Sequence, residues 1–225
     1  MYFVTHLIVF LYLFPIGTIR ILFNPAYAPR LRKQITGLLF TIIGQRLQVI
    51  GLNNIDKDKR YVIVSNYPGS YAGLALMNLF PDASILVHSF LYRVPLVGFF
   101  LKSTGAVFVQ QKKFGKTKRM IDQGLDQIKD RSIIILPEGG RSPDGSIRKF
   151  KHGFVYVLRN SEMELLRVTL SGFHTLKPLK RPYLDPDSKL QVLIHKPIDR
   201  SMIDNLNNEI LRILTTEIIG KAYEP

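Results

Sequence analysis

Ser132-Ile133-Ile134-Ile135-Leu136 runs straight into Pro137-Glu138-Gly139-Gly140-Arg141-Ser142-Pro143-Asp144-Gly145. A near-continuous apolar run of five residues ending in Pro and Gly reads as a strand buried on both faces. Similar runs flank it: Tyr61–Ser65, Ser84–Val87, Ala106–Val109, Leu165–Leu170 and Leu190–Ile194. Between them lie segments with helical spacing. Lys116–Lys129 carries Met120, Ile121, Gly124, Leu125 and Ile128 on one face, and Gly153–Arg159 forms a shorter helix. A last helix starts at Ser201, with Asp204 three residues on, and carries Ile203, Leu206, Ile210, Ile213, Leu214 and Ile218. Alternation of this kind predicts an α/β fold with a mainly parallel sheet flanked by helices. No repeat or low-complexity tract interrupts the 225 residues.

Upstream, Tyr2–Ile19 is almost wholly apolar, broken only by His6 and Pro15, and basic residues follow it at Arg20, Arg30, Arg32 and Lys33. That length is near the lower limit for crossing a bilayer. The basic flank then places the rest of the chain on the cytoplasmic side. Ile35, Leu38, Leu39, Ile42, Ile43, Leu47 and Ile50 form a second helical stripe, and Asn24-Pro25 marks the turn between the two. Residues 1–50 therefore read as a helical hairpin that attaches the chain to a membrane, with the second helix in the interface or packed on the domain. Residues 51–225 form the α/β domain.

The composition fits this picture. With 31 Lys and Arg against 17 Asp and Glu, the net charge of +14 suits a polyanionic partner: nucleic acid, an anionic bilayer or a phosphorylated substrate. No nucleic-acid module accompanies the charge, so nucleic acid is not expected. The chain has no Cys, which excludes disulfides, thiolate nucleophiles and sulfur-ligated zinc.

In α/β folds chemistry gathers where strands end in loops. The strand ending in Leu136 leads to Gly139-Gly140, whose N–H groups can form an anion-binding concavity. Arg141 adds a planar fork suited to phosphate, and Arg148, Lys149 and Lys151 follow. The alternative is a solvated turn in which Glu138 and Arg141 pair at the surface, a contact worth about 0–1 kcal/mol. The strand Tyr61–Ser65 leads to Asn66-Tyr67-Pro68-Gly69-Ser70-Tyr71-Ala72.

Pro137-Glu138-Gly139-Gly140-Arg141-Ser142, continued by Asp144-Gly145 and Phe150-Lys151-His152-Gly153, resembles the Phe-Pro-Glu-Gly-Thr-Arg-Ser and Phe-Lys-x-Gly signatures of the 1-acylglycerol-3-phosphate acyltransferase family. Gly105-Ala106-Val107-Phe108, after Pro95-Leu96-Val97-Gly98, is similar to the start of that family's Gly-x-x-Phe-x-x-Arg block. Val168-Thr169-Leu170 falls on its proline-containing strand motif. The resemblance runs from the hairpin to about residue 175. It implies acyl transfer from acyl-CoA or acyl-carrier protein to a lysophospholipid-like acceptor in phospholipid biosynthesis, with no metal and no further cofactor. It also implies that the acceptor's phosphate meets Gly105, Phe108, Glu138, Gly139, Gly140, Arg141 and Lys151.

Four positions depart from the family pattern. Gln111 replaces its arginine, with Lys112 and Lys113 beside it, and Gly140 replaces its threonine. Its general-base histidine is Tyr67 here, and the aspartate five residues on is Ala72. A phenol with a pKa of about 10 is ionised in about one molecule in a thousand at neutral pH. Ser70 lacks the Gly-x-Ser-x-Gly spacing of a nucleophile elbow. His88, just after the second strand, is the substitute base candidate. The resemblance thus predicts either an acyltransferase working by an atypical or impaired mechanism, or a non-catalytic protein that binds lipid or acyl-CoA or regulates a partner.

Overall fold

Val62, Ile63 and Val64 are wholly excluded from solvent, and Ile133–Ile135 beside them almost so. Strands with no polar face need cover on both sides, and the fold is built around that need. The computed structural model describes residues 19, 24–94, 97–110, 114–128, 130–181 and 183–225. The main elements in chain order are α1 (Ala28–Ile42), β1 (Leu47–Ile50), β2 (Tyr61–Ser65), α2 (Ala72–Leu79), β3 (Ser84–His88), a 3-10 turn (Ser89–Arg93), α3 (Val97–Ser103), β4 (Val107–Val109), α4 (Phe114–Gln127), β5 (Ile133–Ile135), α5 (Gly153–Arg159), β6 (Glu164–Ser171), α6 (Phe173–Leu176), β7 (Leu190–Ile194), α7 (Arg200–Asn205) and α8 (Asn208–Lys221). The expected α/β alternation is present.

The chain divides into two compact units. The larger comprises Gln45–Gly73 and Asp130–Pro225. Among its described residues the strand order is β1-β7-β6-β2-β5. β1 and β7 are parallel, as are β6 and β2, and β2 and β5, while β6 and β7 are antiparallel. Phe154, Val157 and Leu158 of α5 and Ile203, Leu211 and Ile219 of α7 and α8 lie fully in the core. The register Ser65↔Val168 and Val64↔Ile135 brings the C-terminal ends of β2, β6 and β5 to one edge of this sheet.

The smaller unit holds the described residues up to Gly44 together with Leu74–Lys129. Its strands β3 and β4 pair in parallel, Val87 opposite Phe108. α4 lies directly on β4: a Cβ at Gly124 would stand 2.4 Å from a Val107 methyl, so only glycine fits. α1 buries Leu31, Ile35, Leu39 and Phe40, together with Arg32. The Arg32 guanidinium donates to the carbonyls of Ala83 and Thr104. One of the four cations of the predicted basic flank is therefore spent inside this unit.

Three expectations are corrected. The predicted helix reaching Ile50 ends at Ile42, and Leu47–Ile50 is strand β1. Gly44, at φ +71°, breaks the helix where the apolar spacing would have carried it on. The single C-terminal helix is two helices, capped by Asp199 on the Met202 amide and by Asn207 on the Ile210 amide, so Ser201 is not the cap. In α8 the buried face is Leu211, Arg212, Thr215 and Ile219, whereas Ile210 and Ile213 are exposed. No described helix is long and apolar enough to cross a membrane. Apart from Ile19, the first apolar segment Tyr2–Ile19 lies outside the described residues, as do Pro95, Leu96, Gln111, Lys112 and Lys113.

Candidate active site

The loops that leave β2 and β5 meet at the sheet edge of the larger unit, and side chains bind them together. Asn66 continues the β2–β6 ladder past the end of the strand. Its Nδ2 donates to Leu170 O (2.9 Å) and its Oδ1 accepts from Leu170 N (2.8 Å). Glu138 joins the other pair of loops. Its carboxylate is 1% exposed; Oε1 accepts from Tyr67 N (2.7 Å) and Oε2 from Arg148 N (3.1 Å). Ser142 N donates to Tyr67 O (3.2 Å). Tyr67 is thus held by its backbone from both sides, whatever its side chain.

The surface pairing of Glu138 with Arg141 is not formed. Glu138 is spent on two backbone amides, and Arg141 Nη1 donates to the Ser70 hydroxyl (2.7 Å). Burial raises the Glu138 pKa, and the bonds from Tyr67 N and Arg148 N together with the Arg148 charge oppose that rise. Asp144 organises the next turn, accepting from Ser146 Oγ (2.7 Å), Ser146 N (3.0 Å) and Ser142 Oγ (3.1 Å), which lowers its pKa to about 2. Tyr223, from the far end of the chain, donates to Gly145 O (2.7 Å), and burial with the Glu138 and Asp144 charges pushes its pKa up to about 12.

Apart from the hydrogen-bonded Asp144, the exposed charges on the loop are cations: Arg141, Arg148, Lys149 and Lys151. Gly140 shapes this group, since a Cβ there would come within 3.1 Å of Arg148 Nη1. A glycine at position 140 leaves room for that guanidinium. Gly139, at φ +70°, donates its N–H to Leu136 O (3.2 Å), so that amide closes the turn rather than facing an anion. The constellation suits a phosphate held mainly by guanidinium and ammonium groups.

Tyr67 is half-buried, and its phenol pKa is raised: desolvation pushes it up further than the Arg141 charge pulls it down. The phenol is therefore protonated at neutral pH. Ala72 is wholly buried at the start of α2.

The remaining candidates lie in the smaller unit. His88 is exposed, and its Nδ1 accepts from Phe90 N (3.1 Å), capping the 3-10 turn. Gly105 sits in a turn at φ +80°, its N–H on Lys102 O (3.0 Å). Phe108 lies on β4 with its ring edge-on to Tyr92, 5.5 Å between centroids. Of the predicted site residues, the structure brings together Tyr67, Glu138, Gly139, Gly140, Arg141 and Lys151, whose N–H donates to Pro137 O (3.0 Å). It adds Asn66, Ser70, Asp144 and Tyr223 as supports. Only Tyr223 had no local sign in the sequence.

A family model described as Acyltransferase matches residues 46–171. The chloroplastic 1-acyl-sn-glycerol-3-phosphate acyltransferase LPAT1 of Arabidopsis thaliana is 25% identical over 166 residues, covering 73% of this chain and 47% of that protein. The 1-acyl-sn-glycerol-3-phosphate acyltransferase alpha of Mus musculus is 22% identical, covering 70% and 56%. That of Borreliella burgdorferi is 25% identical over 186 residues, covering 81% and 74%. The chain spans about half the length of the first two of these relatives. The crystal structure of the 1-acyl-sn-glycerophosphate acyltransferase PlsC from Thermotoga maritima has the same fold, with a TM-score of 0.77 at 22% identity over 98% of this chain and 95% of that one.

Proposed function

The chain belongs to the Acyltransferase family, and we propose that it binds a lysophospholipid-like acceptor by its phosphate on the Gly139–Arg141 loop. Acyl transfer from acyl-CoA or acyl-carrier protein is then absent or much reduced. The observation that carries this reading is Tyr67: a half-buried phenol whose pKa is raised, beside a loop on which four exposed cations face one exposed carboxylate, Asp144.

In acyl transfer the acceptor hydroxyl attacks the thioester carbonyl. A C–O bond forms, the C–S bond breaks, and the hydroxyl proton ends on the departing sulfur. A histidine carries that proton in the family pattern. Protonated Tyr67 has no capacity to accept it, and the buried methyl of Ala72 cannot orient or charge-balance an imidazole. General-base catalysis contributes about 10²–10⁴-fold, and its loss leaves only what orientation supplies.

The acceptor and donor are lipids or lipid carriers, so the reading includes attachment to a membrane through Tyr2–Ile19, with the α/β domain on the cytoplasmic side. The length of that segment and the cations after it support this.

Purified protein is assayed with acyl-CoA and lysophosphatidate beside the Tyr67→His/Ala72→Asp double variant. The expected outcome is a gain of at least about 100-fold in the double variant, the lower end of the general-base range. Robust wild-type turnover that ignores substitution at both positions would sink the proposal.

A further inference from the structure

Three large aromatic side chains stand out on the smaller unit: Phe90 is 63% exposed, Tyr92 55% and Phe99 45%. Single exposed apolar residues are ordinary on any protein. These three fall within ten residues on two pieces that touch. A Cβ at Gly98 would stand 2.3 Å from Tyr92 O, so the backbone of α3 lies against that of the 3-10 turn. Tyr92 rests edge-on against Phe108 (5.5 Å), and Lys102 Nζ lies 5.9 Å from the centre of its ring. Tyr92 is thus braced on touching pieces of backbone that also carry Phe90 and Phe99, with a cation over its ring and exposed Arg93 next to it in sequence.

The sequence that carries and follows these rings has charge of one sign. From Ala83 to Ile121 the sequence contains seven Lys and Arg and no Asp or Glu. The residues of the smaller unit carry twelve Lys and Arg against three Asp, nine of the fourteen net positive charges. Aromatic rings interleaved with cations are the composition of a surface that sits at the headgroup level of a bilayer. At seven residues, α3 is far too short to enter further. A protein partner would have to place carboxylates opposite individual cations, whereas an anionic bilayer matches the whole field by its charge density.

We propose that the Ser89–Arg93 turn and α3 form a membrane-contact surface that lies shallowly on an anionic bilayer, in addition to any attachment through the first apolar segment. This rests on the part of the functional reading that puts the chain at a membrane, and is independent of whether acyl transfer occurs.

The sequence contains no Trp, so one introduced Trp is a sole reporter. Phe90→Trp and Phe99→Trp are placed on the face. Tyr183→Trp serves as control, at an equally exposed ring of the larger unit that stacks under Arg181. The full-length variants are reconstituted into phosphatidylcholine vesicles with and without phosphatidylserine, containing lipid brominated near the headgroup end of its chains. We expect quenching at positions 90 and 99 in the anionic vesicles and none at 183. Arg93→Gln and Lys102→Gln should each lower the ratio of engaged to free surface about fivefold, the ordinary worth of one cation near such a membrane. Unquenched reporters at positions 90 and 99, in a chain that still floats with vesicles, would overturn the contact surface alone. A chain that does not float with vesicles would overturn the membrane reading as well. Equal quenching at 183, or a blue shift that grows with protein concentration without lipid, would assign the face to nonspecific adsorption or to a second copy.

Discussion

Replacing Glu138 by Gln tests whether one buried carboxylate holds the site together. The carboxylate accepts Tyr67 N–H at 2.7 Å and Arg148 N–H at 3.1 Å, at 1% exposure. Gln keeps one acceptor and turns an NH2 group toward the other amide, so one bond is lost and two donors face each other. A buried donor left unsatisfied costs about 1–3 kcal/mol. For a chain of this size that is about 2–4 °C in Tm per kcal/mol, or roughly 2–12 °C in all. Ala removes both acceptors and is expected to cost up to twice as much, less whatever water recovers. The assay is thermal unfolding followed by circular dichroism. Its pH dependence has a definite sign. Burial holds the folded-state pKa of Glu138 above the ordinary 4.5. A carboxyl raised in this way adds stability that is complete below 4.5 and lost as pH rises through the folded value. The gap between wild type and Glu138→Gln therefore widens as pH is lowered from 7. A Gln variant within about a degree of wild type at every pH would refute the assignment of Glu138 as the tie between the loops.

Asp144→Asn should lower Tm at pH 7, and the deficit should close as pH falls. The folded-state pKa is about 2 against an ordinary 3.8, so the carboxylate's contribution is present above 3.8 and is lost as pH drops through 2. A deficit that persists at pH 2 would show that Asp144 acts through shape rather than charge. Arg141→Ala should weaken binding of lysophosphatidate about 10- to 100-fold, the worth of a charge-assisted bond, without changing Tm measurably. Titration calorimetry reads this directly, and unchanged affinity would remove the loop from phosphate binding.

The central strands were legible because burial on both faces leaves a continuous apolar run, and Tyr61–Ser65 and Leu190–Ile194 fall where the sequence puts them. β1 was not, because Leu47 and Ile50 continue a spacing of three and four that also fits a helix. Gly44 was the signal against it: a residue at positive φ ends a helix whatever follows. In α8 the apolar pattern pointed to Ile210 and Ile213. The structure buries Arg212 and Thr215 instead, Arg212 with its guanidinium on Glu209 and on Phe150 O. A long side chain that satisfies its own charge can take a core position that composition would deny it. At the site, the cations and glycines after β5 announced an anion loop, but the role of Glu138 depends on which amides it meets. Those belong to Tyr67, 71 residues upstream in sequence, and Arg148, ten downstream. Spacing carries no record of such a meeting.

The side chains that hold the site are not those of Tyr67 and Ala72. Asn66, Glu138 and Asp144 fasten backbone to backbone, and Tyr67 is fixed through its own N–H and C=O. Neither the phenol of Tyr67 nor the methyl of Ala72 is part of that fastening, so the loops do not depend on either side chain. The reverse change is not symmetrical. A histidine at position 67 inherits a backbone already in place. A carboxylate at position 72 enters a site with no exposed surface, where an unpaired charge costs several kcal/mol. Only an imidazolium able to pair with it offsets that cost. The two halves of the dyad are therefore physically worthwhile together and not singly, which is why the double variant, rather than either single one, is the informative test of catalysis.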